Sequence, residues 1–140
     1  MKKLLELYLR YFDFLYLDPR YRITDSITSG NPMINASLRL ESPLLSWELS
    51  NDRGQLLVAV APTQLANSPD SWFRLSLVRQ YLDNFDETNP VSLEDKVAWM
   101  RDNLPRIEEL FSDAKATRSC QELTNLAKLL ADKYFGPSRM

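Results

Sequence analysis

Histidine is missing from this chain, cysteine occurs once (Cys120), and 140 residues hold only three glycines, Gly30, Gly54 and Gly136. Histidine is the usual general base at neutral pH and the commonest metal ligand. Its absence excludes the Ser-His-Asp and Cys-His nucleophile systems, the histidine-bearing zinc sites and the histidine–carboxylate iron sites. Three scattered glycines leave no phosphate-cradling loop of the P-loop or dinucleotide type. A single cysteine forms no internal disulfide, which fits a reducing compartment, and without a histidine partner it reads as structural.

What remains is ordinary for a folded domain: 44% hydrophobic and 26% charged residues, with fifteen aromatic side chains supplying core material. The length fits one domain spanning 1–140. Lys2-Lys3 before a leucine-rich run imitates a secretion signal. Glu6, Arg10 and Asp13 interrupt that run and no small-residue cleavage site follows, so a folded helix of a cytoplasmic protein is expected. The same run is too short and too charged to span a bilayer, and no membrane association is expected.

Net charge is −2, unevenly spread. Residues 86–113 carry eight acidic and three basic side chains, whereas residues 114–140 carry two and five. No basic stripe suited to neutralising phosphates exists, so nucleic acid is not an expected partner.

Hydrophobic spacing predicts a helix over 3–17, with Glu6, Arg10 and Asp13 on one narrow polar stripe and apolar residues around the rest. Such a helix is expected to be central to the core, or to meet another chain with part of its surface. Asp18-Pro19 ends it. The period then changes to two. Segments near 20–28, 36–41, 44–50 and 55–61 read as an antiparallel four-stranded meander, with a turn at 29–33 and a hairpin at Asn51-Asp52-Arg53-Gly54. The last strand, Gln55–Ala61, is nearly all apolar and should be covered on both faces. Asp25 interrupts the Tyr21, Ile23, Ile27 face, where a buried carboxylate would need Arg22, Arg39 or Arg74 as a partner, or would serve to discourage edge pairing.

The remainder predicts three helices. The first starts at Ser68-Pro69-Asp70 and shows Leu75, Val78, Tyr81, Leu82 and Phe85 on one face, although 72–78 also fits a strand. The second opens on a capping box at Ser92–Asp95 and is kinked or split by Pro105. The third opens on a capping box at Ser119–Glu122 and closes at Gly136-Pro137. Strands followed by helices give an α+β domain: N-terminal helix, four-stranded antiparallel meander, three C-terminal helices.

Paired carboxylates are the one catalytic device still open. Glu94-Asp95 and Glu108-Glu109 are adjacent on predicted helices and splay by about 100° rather than converging, so no catalytic site, metal or cofactor is expected. The block 83–95 holds five carboxylates and no basic residue. Asp83, Asp86, Glu87, Glu94 and Asp95, extended by Glu48 and Asp52, form a candidate surface for a basic protein partner, since long-range attraction raises association rates.

In size, charge distribution and lack of a catalytic motif, the whole chain resembles the small immunity proteins of bacterial polymorphic and contact-dependent toxin systems. That resemblance rests on no residue motif. It implies a non-catalytic binding protein that neutralises a cognate toxin by covering it. The alternatives are a structural or regulatory subunit that self-associates, as a homodimer, through its aromatic first helix, and a small-molecule-binding domain with an aromatic pocket at Trp47, Trp72 or Trp99.

Overall fold

The computed structural model describes residues 1–28, 34–52 and 54–135. It is an α+β fold in which a five-stranded antiparallel sheet, ordered β1-β2-β3-β4-β5, is followed along the chain by four of its six helices. The chain opens with α1 (Lys2–Tyr11) and α2 (Asp13–Tyr16). The strands are β1 (Arg22–Thr28), β2 (Ile34–Glu41), β3 (Leu45–Asp52), β4 (Gln55–Pro62) and the two-residue β5 (Phe73–Arg74). Then come α3 (Leu75–Asp83), α4 (Leu93–Asp102), α5 (Leu104–Leu110) and α6 (Ala116–Phe135).

Register explains the core. Leu40, Trp47, Val60 and Phe73 are successive cross-strand partners, and Leu38, Leu49 and Val58 form the next row. All seven are buried, so one face of the sheet is hidden by the helices. At the centre, Trp47 is fully enclosed and donates its indole N–H to Tyr21 Oη at 3.2 Å. The opposite face carries Ser37, Arg39, Glu48, Ser50, Leu57 and Ala59, all half-buried or exposed.

Several expectations are corrected. The first helix breaks at Phe12, whose ring is fully buried while its backbone leaves helical values (φ −113°, ψ 27°). Leu4, Tyr8, Phe12 and Leu15 are buried, whereas Leu9, Tyr16 and Leu17 are 58–71% exposed, so this segment lies against the core by one side only. A register shift between Ile23 and Asp25 makes β1 spend one extra residue, Thr24, against β2. That bulge moves Asp25 and Ile27 to the outer face, opposite Arg39 and Ser37. The whole strand is exposed, and Asp25 therefore needs no buried partner.

β4 is covered on both faces only from Val58 onward, and Leu57 remains 45% exposed. The ambiguous 72–78 segment divides: Phe73–Arg74 pairs with β4 as a fifth strand and α3 starts at Leu75. Ser68-Pro69-Asp70 opens one 3₁₀ turn instead of the helix. Asn103 separates α4 from α5, with Pro105 in the first turn of α5, so the chain splits there. α6 begins at Ala116, ahead of the expected capping box, because Ser112 O already accepts from Lys115 and Ala116. Ser92 does cap α4, accepting from the Asp95 N–H at 3.2 Å. Gly54 takes φ +85° and donates to Asn51 Oδ1, as a hairpin turn requires. The turn at 29–33, Arg53 and the Gly136-Pro137 stop lie outside the described residues.

Candidate binding surface

The seven candidate carboxylates divide by what holds them. Asp83 ends α3, where one oxygen accepts from Trp99 Nε1 at 2.7 Å and the other from Arg106 Nη1 at 2.8 Å. Those bonds, the one from Trp99 foremost, hold its carboxyl below the usual range. Glu87 accepts from Arg74 Nε and Nη2 at 2.7 and 2.6 Å and from Ser76 Oγ at 3.0 Å. Its side chain is only 9% exposed, and the hydrogen bonds from Arg74 push its pKa down. Glu87 is thus a fold-building group, contrary to its expected place on a free acidic surface. The sequence block contains no cation, but the fold delivers two, from α5 and from β5.

Asp86, Glu94 and Asp95 remain exposed, with no cation within ion-pair distance among the described residues. Asp86 accepts from Thr88 N and Oγ1 at 2.9 and 2.7 Å, fixing the loop after the left-handed Asn84 that terminates α3. Glu94 accepts from Tyr11 Oη at 3.1 Å, tying the start of α4 to the end of α1. Glu48 pairs with Arg39 at 3.3 Å on the outer sheet face, and Asp52 stands exposed at the end of β3.

A transverse row of charges crosses that outer face. Asp25, Arg39, Glu48, Ala59 and Arg74 are successive partners from β1 to β5, and Arg74 carries the row on to Glu87. Alternating signs on neighbouring strands are mutually favourable. Trp72 adds a ring beneath Arg39, 4.7 Å from its Cζ.

Two concavities adjoin this row. One, about 390 Å³, lies on the outer sheet face between Glu48, Leu57, Trp72, Arg74 and Lys96. The other, about 450 Å³, lies between Arg79, Phe85, Pro90, Val91, Asp95 and Trp99. A narrow space between them shares Leu75, Ser76 and Lys96 with the first and Arg79, Phe85 and Trp99 with the second. Glu48, Glu87 and Asp95 therefore line neighbouring spaces, while Asp86, Glu94 and Asp52 line none of them. A larger concavity of about 580 Å³ sits between Tyr81, Arg106, Lys115, Arg118 and Glu122. Its charges are satisfied internally: Arg106 by Asp83, Lys115 by Glu109, Arg118 by Glu122, and Tyr81 Oη donates to Glu122. The half-buried cations Arg79 and Lys96 were invisible in the sequence as a pair, because only the packing of α3 on α4 brings them to one groove.

Among the described residues no cluster of three or more His, Cys, Asp or Glu has the arrangement to hold a metal ion, and no helix is long and apolar enough to cross a membrane. Comparison of the chain with protein families, with curated proteins and with solved structures finds no match.

Proposed function

We propose that this chain is a non-catalytic binding protein whose partner is a basic protein, met through the surface around Asp86, Glu94 and Asp95. The observation that carries the reading is the division of the acidic block. Arg74 and Arg106 draw Glu87 and Asp83 into the fold, and three carboxylates are left outward without an ion pair among the described residues, with Lys133 and Arg10 acting on Asp86 and Glu94 only at longer range. Uncompensated exposed charge of one sign accelerates encounter with the opposite sign and rejects like-charged partners. Occlusion of a toxin domain, the action of the immunity proteins the chain resembles, needs only such a surface on a rigid fold. Glu48 and Asp52 extend it towards the sheet.

The test partner is the C-terminal domain of the product encoded beside this chain. Co-expression is expected to restore growth of cells producing that domain, and the purified pair should associate faster at low salt. Reversal of Asp86, Glu94 and Asp95 to lysine should slow association and flatten its salt dependence, with a modest loss of thermal stability because Asp86 holds its loop and Glu94 and Asp95 occupy the first turn of α4. An unaltered association rate in that triple variant sinks the reading.

The exposed side of α1 favours a second reading, self-association. Leu5 and Leu9, one turn apart, are 40% and 58% exposed, with Tyr16 and Leu17 beyond the break. Sedimentation equilibrium of the full chain and of Leu9→Glu decides it: a dimer that the substitution dissociates supports this reading, and a monomer in both dismisses it.

A further inference from the structure

Arg79 is the one described side chain holding a buried nitrogen without a hydrogen-bond partner, its Nε. The guanidinium lies over Phe85, with Cζ 3.9 Å from the ring centroid, and 5.6 Å from that of Trp99. Among the described residues no carboxylate pairs with it. Of the three around it, Asp95 lines the far side of the groove without an ion pair, and the other two are spoken for. Both oxygens of Asp83 are taken by Trp99 and Arg106, and both of Glu87 by Arg74. A methionine would fill the same aromatic slot without enclosing an unsatisfied donor. Packing alone therefore does not account for a guanidinium here.

We infer that the groove at Arg79, walled by Phe85, Val91 and Trp99, binds a small carboxylate carried on an apolar body. The terminal nitrogens of Arg79 are not enclosed and offer the planar fork that matches a carboxylate in two bonds. Lys96, also without an ion pair, lines the adjoining space and adds a second positive charge. Asp95, on the far side, subtracts one. The balance suits a monoanion and disfavours a phosphate dianion. Pro90 and Val91 give the ligand's body an apolar wall. This site meets the acidic surface at Asp95, whereas Arg79 and Lys96 belong to the groove alone.

The three tryptophans provide the readout, because each indole N–H has a different acceptor: Tyr21 Oη for Trp47, Ala66 O for Trp72 and Asp83 for Trp99. The ¹⁵N-labelled full chain is titrated with hexanoate, phenylacetate and N-acetylphenylalanine, with phenylacetamide and inorganic phosphate as comparators. A saturable shift of the Trp99 indole resonance is expected with the acids, with Trp47 unmoved and no response to the amide. Tighter binding of N-acetylphenylalanine assigns the site to a chain-terminal carboxylate, and tighter binding of phenylacetate to a free acid. Arg79→Met is expected to abolish the shift with the melting temperature kept or raised. Lys96→Met should weaken binding about threefold, the worth of a surface charge, and remains informative if the first variant folds poorly. The inference fails if no acid gives a saturable shift up to about 10 mM, the weak end for small ligands. It fails equally if the amide binds as well, or if Arg79→Met leaves the shift intact.

Discussion

Arg74 grips Glu87 with two nitrogens, at 2.7 and 2.6 Å, across thirteen residues of chain. The pair fastens the edge of the sheet to the loop after α3, and Gln80 Oε1 completes the clasp by accepting from the Glu87 N–H at 3.1 Å. Removing the arginine leaves a nine-tenths enclosed carboxylate without its cation, which is costly. Arg74→Met is therefore expected to lower stability by about 1–3 kcal/mol, or roughly 3–9 °C in melting temperature for a domain of this size. Arg39→Met breaks the more open pair with Glu48 and should cost less than about 1 kcal/mol. Thermal unfolding followed by circular dichroism ranks the two, and an equal loss contradicts the account.

Acid should weaken the fold through the same groups. Folded Asp83 and Glu87 hold their protons less tightly than the unfolded chain does. Stability is thus fully present above the ordinary carboxyl range, about pH 4–5, and is lost as pH falls through the depressed folded values. The double variant Asp83→Asn, Glu87→Gln should show a shallower loss between about pH 5 and 3 than the parent. Urea midpoints across that range check it.

Tyr21→Phe removes the acceptor of the Trp47 indole and leaves its N–H unsatisfied inside the core. The expected cost is about 1–3 kcal/mol. Trp47→Phe also opens space at a fully buried site and should cost more, at about 3 kcal/mol, the lower end of the range for losing a whole buried ring. Denaturant midpoints separate them, and reversal of the order contradicts the packing described.

Cys120 is buried, and that burial raises its thiol pKa, opposed only by a hydrogen bond with Ser71. The reactive thiolate is scarce and shielded. Ellman's reagent should modify Cys120 slowly in the native chain and rapidly in denaturant. Fast modification under native conditions contradicts this environment.

The α+β class and the meander were legible because period-two alternation and turn chemistry act locally. Asn51 and Gly54 make their turn with atoms three residues apart. Ser92 likewise caps its helix by contacts within one turn. The misses share a different cause. Neither proline nor glycine marks the break at Phe12 or the bulge at Thr24, since both arise where buried rings and cross-strand register overrule local preference. The acidic block was legible as charge but not as surface. Arg74 and Arg106 lie thirteen and twenty-three residues from the carboxylates they neutralise, and no local pattern connects them. Arg79 between Phe85 and Trp99 was hidden for the same reason.

The extra residue at Thr24 divides the first strand by parity. Up to Ile23, odd-numbered positions share the sheet face of Leu40 and the core; beyond the bulge, odd-numbered positions share the face of Arg39 and Ser37. Ile23 and Ile27 look equivalent in the sequence, yet they stand on opposite sides of the sheet. Deleting Thr24 would restore a single parity. It would seat Asp25 directly after Ile23, still opposite Arg39 on the outer face, and leave the pairing of the rest of the strand with its partner unchanged. One residue of length, absorbed as a bulge, thus sets which sequence positions beyond it answer to the interior and which to whatever approaches from outside.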